Sequence, residues 1–371
     1  MLFAEHLPFV QSTNLIIQLG SVLDSNTRLS ISDSGRSILL QHHGQEEKIR
    51  LHAAVANIKH DSQLLPAPPL TSRISRLTAL TRHKRSASGA EQQAILWTAN
   101  QLDKDAQFLC GGRTSSGDFC HAVILGNTSI KAYKDLPSEG WADMMDLWHC
   151  HKPDEDHDHS ALNEKGYSAS SRLIAQTGVA MVDILTFLVF KEDCTNIKIL
   201  EHEQNRIVCD QCGCLIGEVD TLCSGIRLYK PLLAYKSAQS DAVTRHDTSL
   251  WLSSYLLSLI DTSGIRKFQG RYSDFTIWIF SPLVFYSLST LGEDPKPALK
   301  IFYKKQLIED RDQITQLNKQ NMQLDELTLP RDLEAALADA LGMVNTILPS
   351  EARRFQDWNV AFLDRFPPEG A

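Results

Sequence analysis

Residues 196–219 read NIKILEHEQNRIVCDQCGCLIGEV and contain the clearest secondary-structure signal in the chain. Two runs rich in β-branched and aliphatic residues, NIKILEH and RIVC, flank the polar sequence EQN. Short apolar runs on both sides of a polar turn are typical of an antiparallel hairpin. The stretch therefore predicts two paired strands, with the cysteines of CDQCGC at the end of the second strand.

Similar runs recur along the chain. Between residues 14 and 55 there are four of them, NLIIQLG, RLSIS, SILLQHH and KIRLHAAV, broken by turn sequences such as DSNT and GQEE. Apolar residues at helical spacing occur in residues 138–150, 249–264 and 330–348. These patterns predict an α+β fold that is mostly antiparallel β-sheet, sandwich-like, with a few amphipathic helices.

We expect two domains that share one interface. Residues 1–151 are predicted to form an N-terminal β-rich domain, and residues 152–371 a C-terminal α+β domain that contains the CxxC hairpin. Residues 66–90, PAPPLTSRISRLTALTRHKRSASGA, interrupt the strand pattern with five Lys and Arg residues. This basic insertion is predicted to be a mobile loop, and a nuclear-import or docking patch stays open as the alternative.

Composition limits the classes of partner. The 371-residue chain is 43% hydrophobic and carries a formal net charge of −8, which argues against broad nucleic-acid binding. No apolar run of about 18 residues occurs, and the N-terminal sequence MLFAEHLPFVQ lacks the pattern of a signal peptide. We therefore expect a cytoplasmic or nuclear protein with no membrane partner and no direct nucleic-acid partner.

Several common enzyme motifs are absent from the sequence. The chain has no GxGxxG, P-loop, GxSxG or HExxH motif. Nucleotide-binding, serine-hydrolase and zincin functions therefore have no motif to support them.

The CxxC pair suggests a metal site. Cys209 and Cys212 are followed by a glycine, a knuckle in which two sulfurs can approach one tetrahedral ion. A structural zinc needs four ligands, and the sequence offers no second CxxC. The remaining cluster of soft ligands is HCHKP at 149–153, so we predict a zinc site formed by Cys150, His151, Cys209 and Cys212. A buried turn with free thiols and a redox CxxC remain the alternatives.

The other cysteines are predicted to have no shared role. Cys110, Cys120, Cys194 and Cys223 stand alone among apolar or mixed neighbours, which is typical of small buried hydrophobic residues. The Gly-rich sequence CGGRTSSGD at 110–118 is predicted to be a hairpin turn.

Three segments carry a resemblance to a known family. WADMMDLWHCHKP at 141–153, RIVCDQCGCLIGE at 206–218 and GIRLYKPLL at 225–233 resemble the HECT-like ubiquitin-conjugating-enzyme (E2)-binding family. The Trp-x-Cys-His block of that family matches Trp148, Cys150 and His151, and its CxxC with a later glycine matches Cys209, Cys212 and Gly217. Cys214 and the basic insertion lie outside the family pattern.

The resemblance implies ubiquitin transfer assisted by direct binding of an E2 enzyme, so the implied partners are an E2 and ubiquitin. In a HECT mechanism a cysteine accepts ubiquitin from the E2 thioester, and Cys150, between His149 and His151, is the candidate nucleophile. That role competes with its predicted metal role, because a thiolate held in a closed zinc site is a poor acyl acceptor. The family also includes a yeast factor linked to mRNA 3′-end processing. The alternative function is therefore a non-catalytic adaptor that stabilises an endonuclease subunit of the cleavage and polyadenylation machinery.

Overall fold

Twenty-four strands and two α-helices make up most of the regular structure in the computed structural model, which describes residues 1–21, 27–55, 74–82, 96–136, 174–200, 205–305 and 324–366. The helices are α1 (Thr248–Ser263) and α2 (Arg331–Ile347). In chain order the strands are β1 (Leu2–Leu7), β2 (Ser12–Gln18), β3 (Arg28–Ser32), β4 (Ser37–His42), β5 (Gln45–Arg50), β6 (Ala54–Val55), β7 (Ile74–Arg82), β8 (Gln107–Cys110), β9 (Val123–Leu125), β10 (Ala132–Asp135), β11 (Val179–Val182), β12 (Thr186–Val189), β13 (Ile197–Leu200), β14 (Arg206–Cys209), β15 (Leu215–Asp220), β16 (Gly225–Tyr229), β17 (Leu233–Lys236), β18 (Val243–Thr244), β19 (Lys267–Gly270), β20 (Phe275–Leu288), β21 (Gly292–Lys305), β22 (Asp325–Leu327), β23 (Arg354–Phe355) and β24 (Trp358–Asp364).

The chain divides into two compact units. The first unit combines residues 1–94 with residues 252–371, and the second unit is residues 95–251. Most strand pairs in both units are antiparallel, and the parallel pairs among the described residues are β10 with β11 and β19 with β22. The antiparallel, β-rich part of the predicted fold class is therefore confirmed, whereas two helices among the described residues do not establish an α+β class.

The first unit is built on a sheet in the order β23-β24-β21-β20-β1-β2-β7-β6. The long strand β20 pairs with β21 along one edge, and its other edge pairs with β19 near one end and with β1 near the other. Helix α2 packs on this sheet against β24, with Leu333, Leu337 and Leu341 buried. A small sheet, β3-β4-β5, closes a second apolar cluster with side chains of β1 and β2.

The second unit contains two sheets, β10-β11-β12-β16-β15-β14-β13 and β18-β17-β8-β9. Aromatic side chains fill the space between them: the rings of Phe108 on β8 and Phe187 on β12 have centroids 4.6 Å apart, and Trp97 lies 5.4 Å from Phe108. Lys230, just after β16, is also fully buried in this core. Its ammonium donates to the Trp97 carbonyl at 3.1 Å and lies 5.7 Å from the ring centroid of Trp251.

The hairpin predicted in residues 196–219 is confirmed. Strands β13 and β14 pair antiparallel, with Ile197 opposite Cys209 and Leu200 opposite Arg206, and β14 pairs in turn with β15. The CxxC sequence therefore lies in the turn between β14 and β15. The helices predicted at 249–264 and 330–348 are confirmed as α1 and α2. The helix predicted at 138–150 lies outside the described residues.

The predicted mobile insertion needs a correction. Its central residues form β7, which pairs antiparallel with β2 over seven positions, from Ser12 opposite Leu80 to Gln18 opposite Ile74. The sequence ISRLTALTR carries β-branched and aliphatic residues at strand spacing, and this local signal outweighs the Pro-rich and Ser-rich flanks. The rest of residues 66–90 lies outside the described residues.

The unit division also differs from the boundary expected after residue 151. That position falls within the second unit, in the stretch 137–173, which lies outside the described residues. The N-terminal and C-terminal segments share one unit because β1 pairs with β20.

A candidate metal centre formed by four cysteines

Two hairpins of the second unit bring four cysteines together. Cys110 ends β8, and Cys120 lies on the returning arm of the same hairpin. Cys209 ends β14, and Cys212 lies in the turn that leads to β15. The four Sγ atoms lie within 4.8 Å of one another. We call these four residues the cysteine cluster.

The spacing of the sulfurs suits one tetrahedral ion. The Sγ atoms of Cys110 and Cys212 are 3.6 Å apart, and those of Cys120 and Cys209 are 3.7 Å apart. A tetrahedral zinc with Zn–S bonds of about 2.3 Å places its sulfurs about 3.8 Å apart. Both distances are far longer than an S–S bond, and all four cysteines are free thiols. The cluster could therefore hold a metal ion.

Backbone hydrogen bonds fix the first hairpin around the cluster. The Cys110 N–H donates to the Ala122 carbonyl at 2.8 Å, and the Cys120 N–H donates to the Gly112 carbonyl at 2.9 Å. Only glycine fits at position 112, because a Cβ there would lie 2.7 Å from the Cys214 sulfur. The two arms thus hold Cys110 and Cys120 on one side of the hairpin.

The second hairpin forms a tight knuckle. The Cys209 N–H donates to the Cys214 carbonyl, and the Gly213 N–H donates to the Cys209 carbonyl, each at 2.8 Å. Gly213 has φ +72°, a left-handed conformation that favours glycine. The backbone N–H groups of Gln211 and Cys212 donate to the Cys209 sulfur. Such N–H donors stabilise a thiolate and are the usual surroundings of a metal-bound cysteine.

The electrostatics of the cluster favour a bound cation. Burial raises the pKa of Cys110 well above its ordinary value, and burial raises the pKa of Cys212 to about 12. Burial also works to raise the pKa of Cys209, but the N–H donors of Cys212 and Gln211 outweigh it and hold this pKa below its ordinary value. Two buried and two half-buried thiols cannot all ionise beside one another without a positive charge, and a divalent ion would supply it.

The structure brings together part of the predicted site. Cys209 and Cys212 lie in the cluster, whereas Cys150 and His151 lie outside the described residues, so their ligand role stays a prediction. Cys110 and Cys120 were expected to be isolated buried residues, and the structure places both in the cluster. The signal that could have found them is the Gly-rich hairpin CGGRTSSGDFC, in which two cysteines flank a turn.

The remaining described cysteines lie outside the cluster. Cys214 donates to the Arg113 carbonyl at 3.5 Å, beside Gly112. Cys223 is buried near the ion pair of Arg227 with Asp220. Burial raises the pKa of Cys194 to about 12, so this thiol is protonated at neutral pH.

The described ranges contain no helix with both the length and the apolar character that a membrane span requires.

Comparisons with known proteins give one family and two relatives. The family described as HECT-like ubiquitin-conjugating enzyme (E2)-binding matches residues 5–360. "Uncharacterized protein YJR141W" of Saccharomyces cerevisiae is 21% identical over 372 residues, covering 96% of this chain and 97% of the relative. "Uncharacterized protein C1734.10c" of Schizosaccharomyces pombe is 22% identical over 290 residues, covering 75% and 79%. No solved structure matches the chain.

Proposed function

The chain belongs to the HECT-like ubiquitin-conjugating enzyme (E2)-binding family, and from this premise we propose that it binds an E2 enzyme and acts as a ubiquitin-protein ligase or a ligase cofactor. The observation that carries the proposal is the match over residues 5–360, nearly the whole chain. Ubiquitin is the second partner, because an E2 delivers it as a thioester. The alternative role in mRNA 3′-end processing gains no support from the fold, the cysteine cluster or the descriptions of the two relatives.

The cysteine cluster is proposed to hold one structural zinc ion. Cys110, Cys120, Cys209 and Cys212 supply four sulfur ligands, the donor set that zinc accepts in closed structural sites. Such a site leaves no open position for substrate, so the ion would join the two hairpins rather than take part in chemistry. Reduced thiols of this kind persist in the cytoplasm and the nucleus, where we place the protein.

A complete four-cysteine set changes the expectation for Cys150. A tetrahedral site with four sulfur ligands needs neither Cys150 nor His151, so the Cys150 thiol would be available for ubiquitin transfer. In that step the Cys150 thiolate attacks the thioester carbonyl carbon of ubiquitin, and the E2 cysteine leaves as a thiolate. A substrate lysine amine then attacks the new thioester, and Cys150 is released.

Metal analysis tests the zinc site. The full chain is purified without a tag, and its zinc content is measured by mass spectrometry for the parent, Cys110→Ser, Cys209→Ser and Cys150→Ser. We expect about one zinc per chain in the parent and in Cys150→Ser, and loss of zinc from the other two variants. Retention of zinc in Cys110→Ser together with loss from Cys150→Ser would return the ligand role to Cys150.

E2 binding and thioester formation are tested separately. Purified E2 enzymes are immobilised one at a time, and binding of the full chain is measured by biolayer interferometry. An E2 that binds is then charged with ubiquitin and mixed with the parent or with Cys150→Ser, and non-reducing gels show whether a ubiquitin adduct forms. We expect an adduct that reducing agent removes and that Cys150→Ser does not form. Binding without an adduct would favour the ligase-cofactor role.

A further inference from the structure

The first hairpin, which carries Cys110 and Cys120, also carries an exposed aromatic ring among cationic side chains. We call Arg113, Phe119, His121 and Arg245 the arginine–phenylalanine patch. All four residues are exposed, and Phe119 keeps 41% of its surface accessible. Single exposed apolar side chains are common on protein surfaces, and what distinguishes Phe119 is that two guanidinium groups and a histidine ring surround it.

The hairpin geometry explains why the patch lies opposite the cysteine cluster. Arg113 and Phe119 are paired across the two arms, so their side chains share one face. Cys120, the next residue, belongs to the cluster, and successive side chains along a strand point to opposite faces. On the two arms of this hairpin, the cysteines of the cluster therefore point away from Arg113 and Phe119, and Arg245 joins the patch from the segment after β18.

The patch is held in place by contacts of its own. The Arg113 guanidinium lies 4.2 Å from the centroid of the Phe119 ring and donates to the Gly117 carbonyl at 2.7 Å. The Arg245 guanidinium lies 5.1 Å from the same ring, and the His121 ring stacks on it with centroids 5.8 Å apart. The aromatic ring is thus ordered before a partner arrives, which lowers the entropic cost of binding.

The positive charge of the patch indicates the chemistry of the surface that it binds. Two guanidinium groups flank the Phe119 ring, and the same hairpin turn carries one carboxylate, Asp118, which accepts from the Ser116 hydroxyl. The two arginines outweigh this single acidic group, so the local charge is positive. A partner that fits such a surface presents an apolar pocket rimmed by carboxylates, because complementary charge directs association. Arg and aromatic residues at the centre of an interface carry most of the binding energy.

We propose that the arginine–phenylalanine patch is the surface through which the chain binds an E2, and that the E2 presents an apolar pocket with an acidic rim. This inference rests on the proposed function, since it names the contact by which E2 binding occurs. A zinc ion in the cysteine cluster would hold the two hairpins in a fixed relative position, so that the patch would keep its shape on binding.

Point variants of the full chain test the inference, with binding to immobilised E2 enzymes measured by biolayer interferometry. Phe119→Ala removes the ring and Arg245→Glu reverses one charge. The matched controls are Phe9→Ala, which removes a ring that is 70% exposed in the first unit, and Lys104→Glu, which reverses an exposed charge in the second unit. We expect the affinity to fall about 10- to 100-fold in Phe119→Ala and about 10-fold in Arg245→Glu, with the controls unchanged. Zinc content and melting temperature should match the parent in all four variants.

Three outcomes separate the possibilities. Selective loss in the two patch variants, with zinc retained, supports the inference. Equal binding by the parent and Phe119→Ala, or a larger loss in Phe9→Ala, overturns the patch as the contact while E2 binding itself stands. Failure of the parent to bind any E2 in the panel overturns the proposed function, and this inference with it.

Discussion

Replacement of Lys230 by methionine should change how the stability of the second unit depends on pH. The Lys230 ammonium is buried among aromatic rings, with the Trp97 carbonyl as its acceptor and the Phe187 ring centroid 5.0 Å away. Burial lowers the pKa of Lys230 from 10.5 to about 7, although the charges of Asp183 and Asp135 oppose the change. The folded state therefore disfavours the charged amine.

The sign and size of the effect follow from the two pKa values. Between pH 7 and 10.5 the unfolded chain holds a proton on Lys230 that the folded chain releases, so the free energy of unfolding rises with pH. The change in the pKa of Lys230 from 10.5 to about 7 corresponds to about 5 kcal/mol in the free energy of unfolding, at 1.36 kcal/mol per pKa unit. About 2 kcal/mol of this is gained between pH 7 and pH 9. Methionine fills similar space without a charge, so the variant should lack this gain.

Urea denaturation at pH 7 and pH 9, followed by tryptophan fluorescence, measures the difference. The comparison is made between the parent, Lys230→Met and Lys134→Met, which alters an exposed lysine of the same unit. We expect the parent and Lys134→Met to gain about 2 kcal/mol more than Lys230→Met on going from pH 7 to pH 9. Equal pH dependence in all three proteins would show that folding does not lower the pKa of Lys230, and the reasoning would fail.

Three further changes have expected outcomes of their own. Gly112→Ala should lose zinc and lower the melting temperature of the second unit, because the new Cβ would overlap the Cys214 side chain; zinc analysis and calorimetry check this. Glu334→Ala should destabilise the first unit by about 3 kcal/mol in urea denaturation, since the buried carboxylate accepts from two backbone N–H groups and the Ser273 hydroxyl, and Glu334→Gln should recover part of the loss. Leu337→Ala should cost about 2 to 5 kcal/mol in the same assay, because this fully buried side chain on α2 leaves a cavity. Unchanged unfolding curves for Glu334→Ala or Leu337→Ala would contradict the packing of α2.

Local sequence patterns predicted the local structure and half of the cluster. The hairpin of β13 and β14, both described helices and the CxxC knuckle could be predicted because strand alternation, helical spacing and turn residues act over a few positions. Strand β7 was missed because prolines, serines and charges around it obscured a nine-residue run. The run of basic residues suggested a loop, whereas the pairing of β7 with β2 makes residues 74–82 a strand.

The other half of the cluster depended on contacts that no local pattern contains. Cys110 meets Cys212 across 102 positions of sequence, and Cys120 meets Cys209 across 89. The two hairpins belong to different sheets, β8 pairing with β17 and β14 with β15, so the approach of the cysteines is a property of the folded unit. A search for a second CxxC could not find them, because the first hairpin supplies its two sulfurs ten residues apart.

The pairing of β1 with β20 has a consequence for biosynthesis. Phe3 is opposite Leu288, so β1 leaves the ribosome 285 residues before its neighbour in the sheet is made. At a synthesis rate of about 5 to 20 residues per second, one edge of β1 stays without its partner for roughly 15 to 60 s. During that interval the whole of residues 95–251 emerges and can fold as a unit, whereas the first sheet must wait for the last third of the chain. The nascent N-terminal strands are therefore natural clients for a chaperone on the ribosome, and truncation before residue 288 should leave them prone to aggregation.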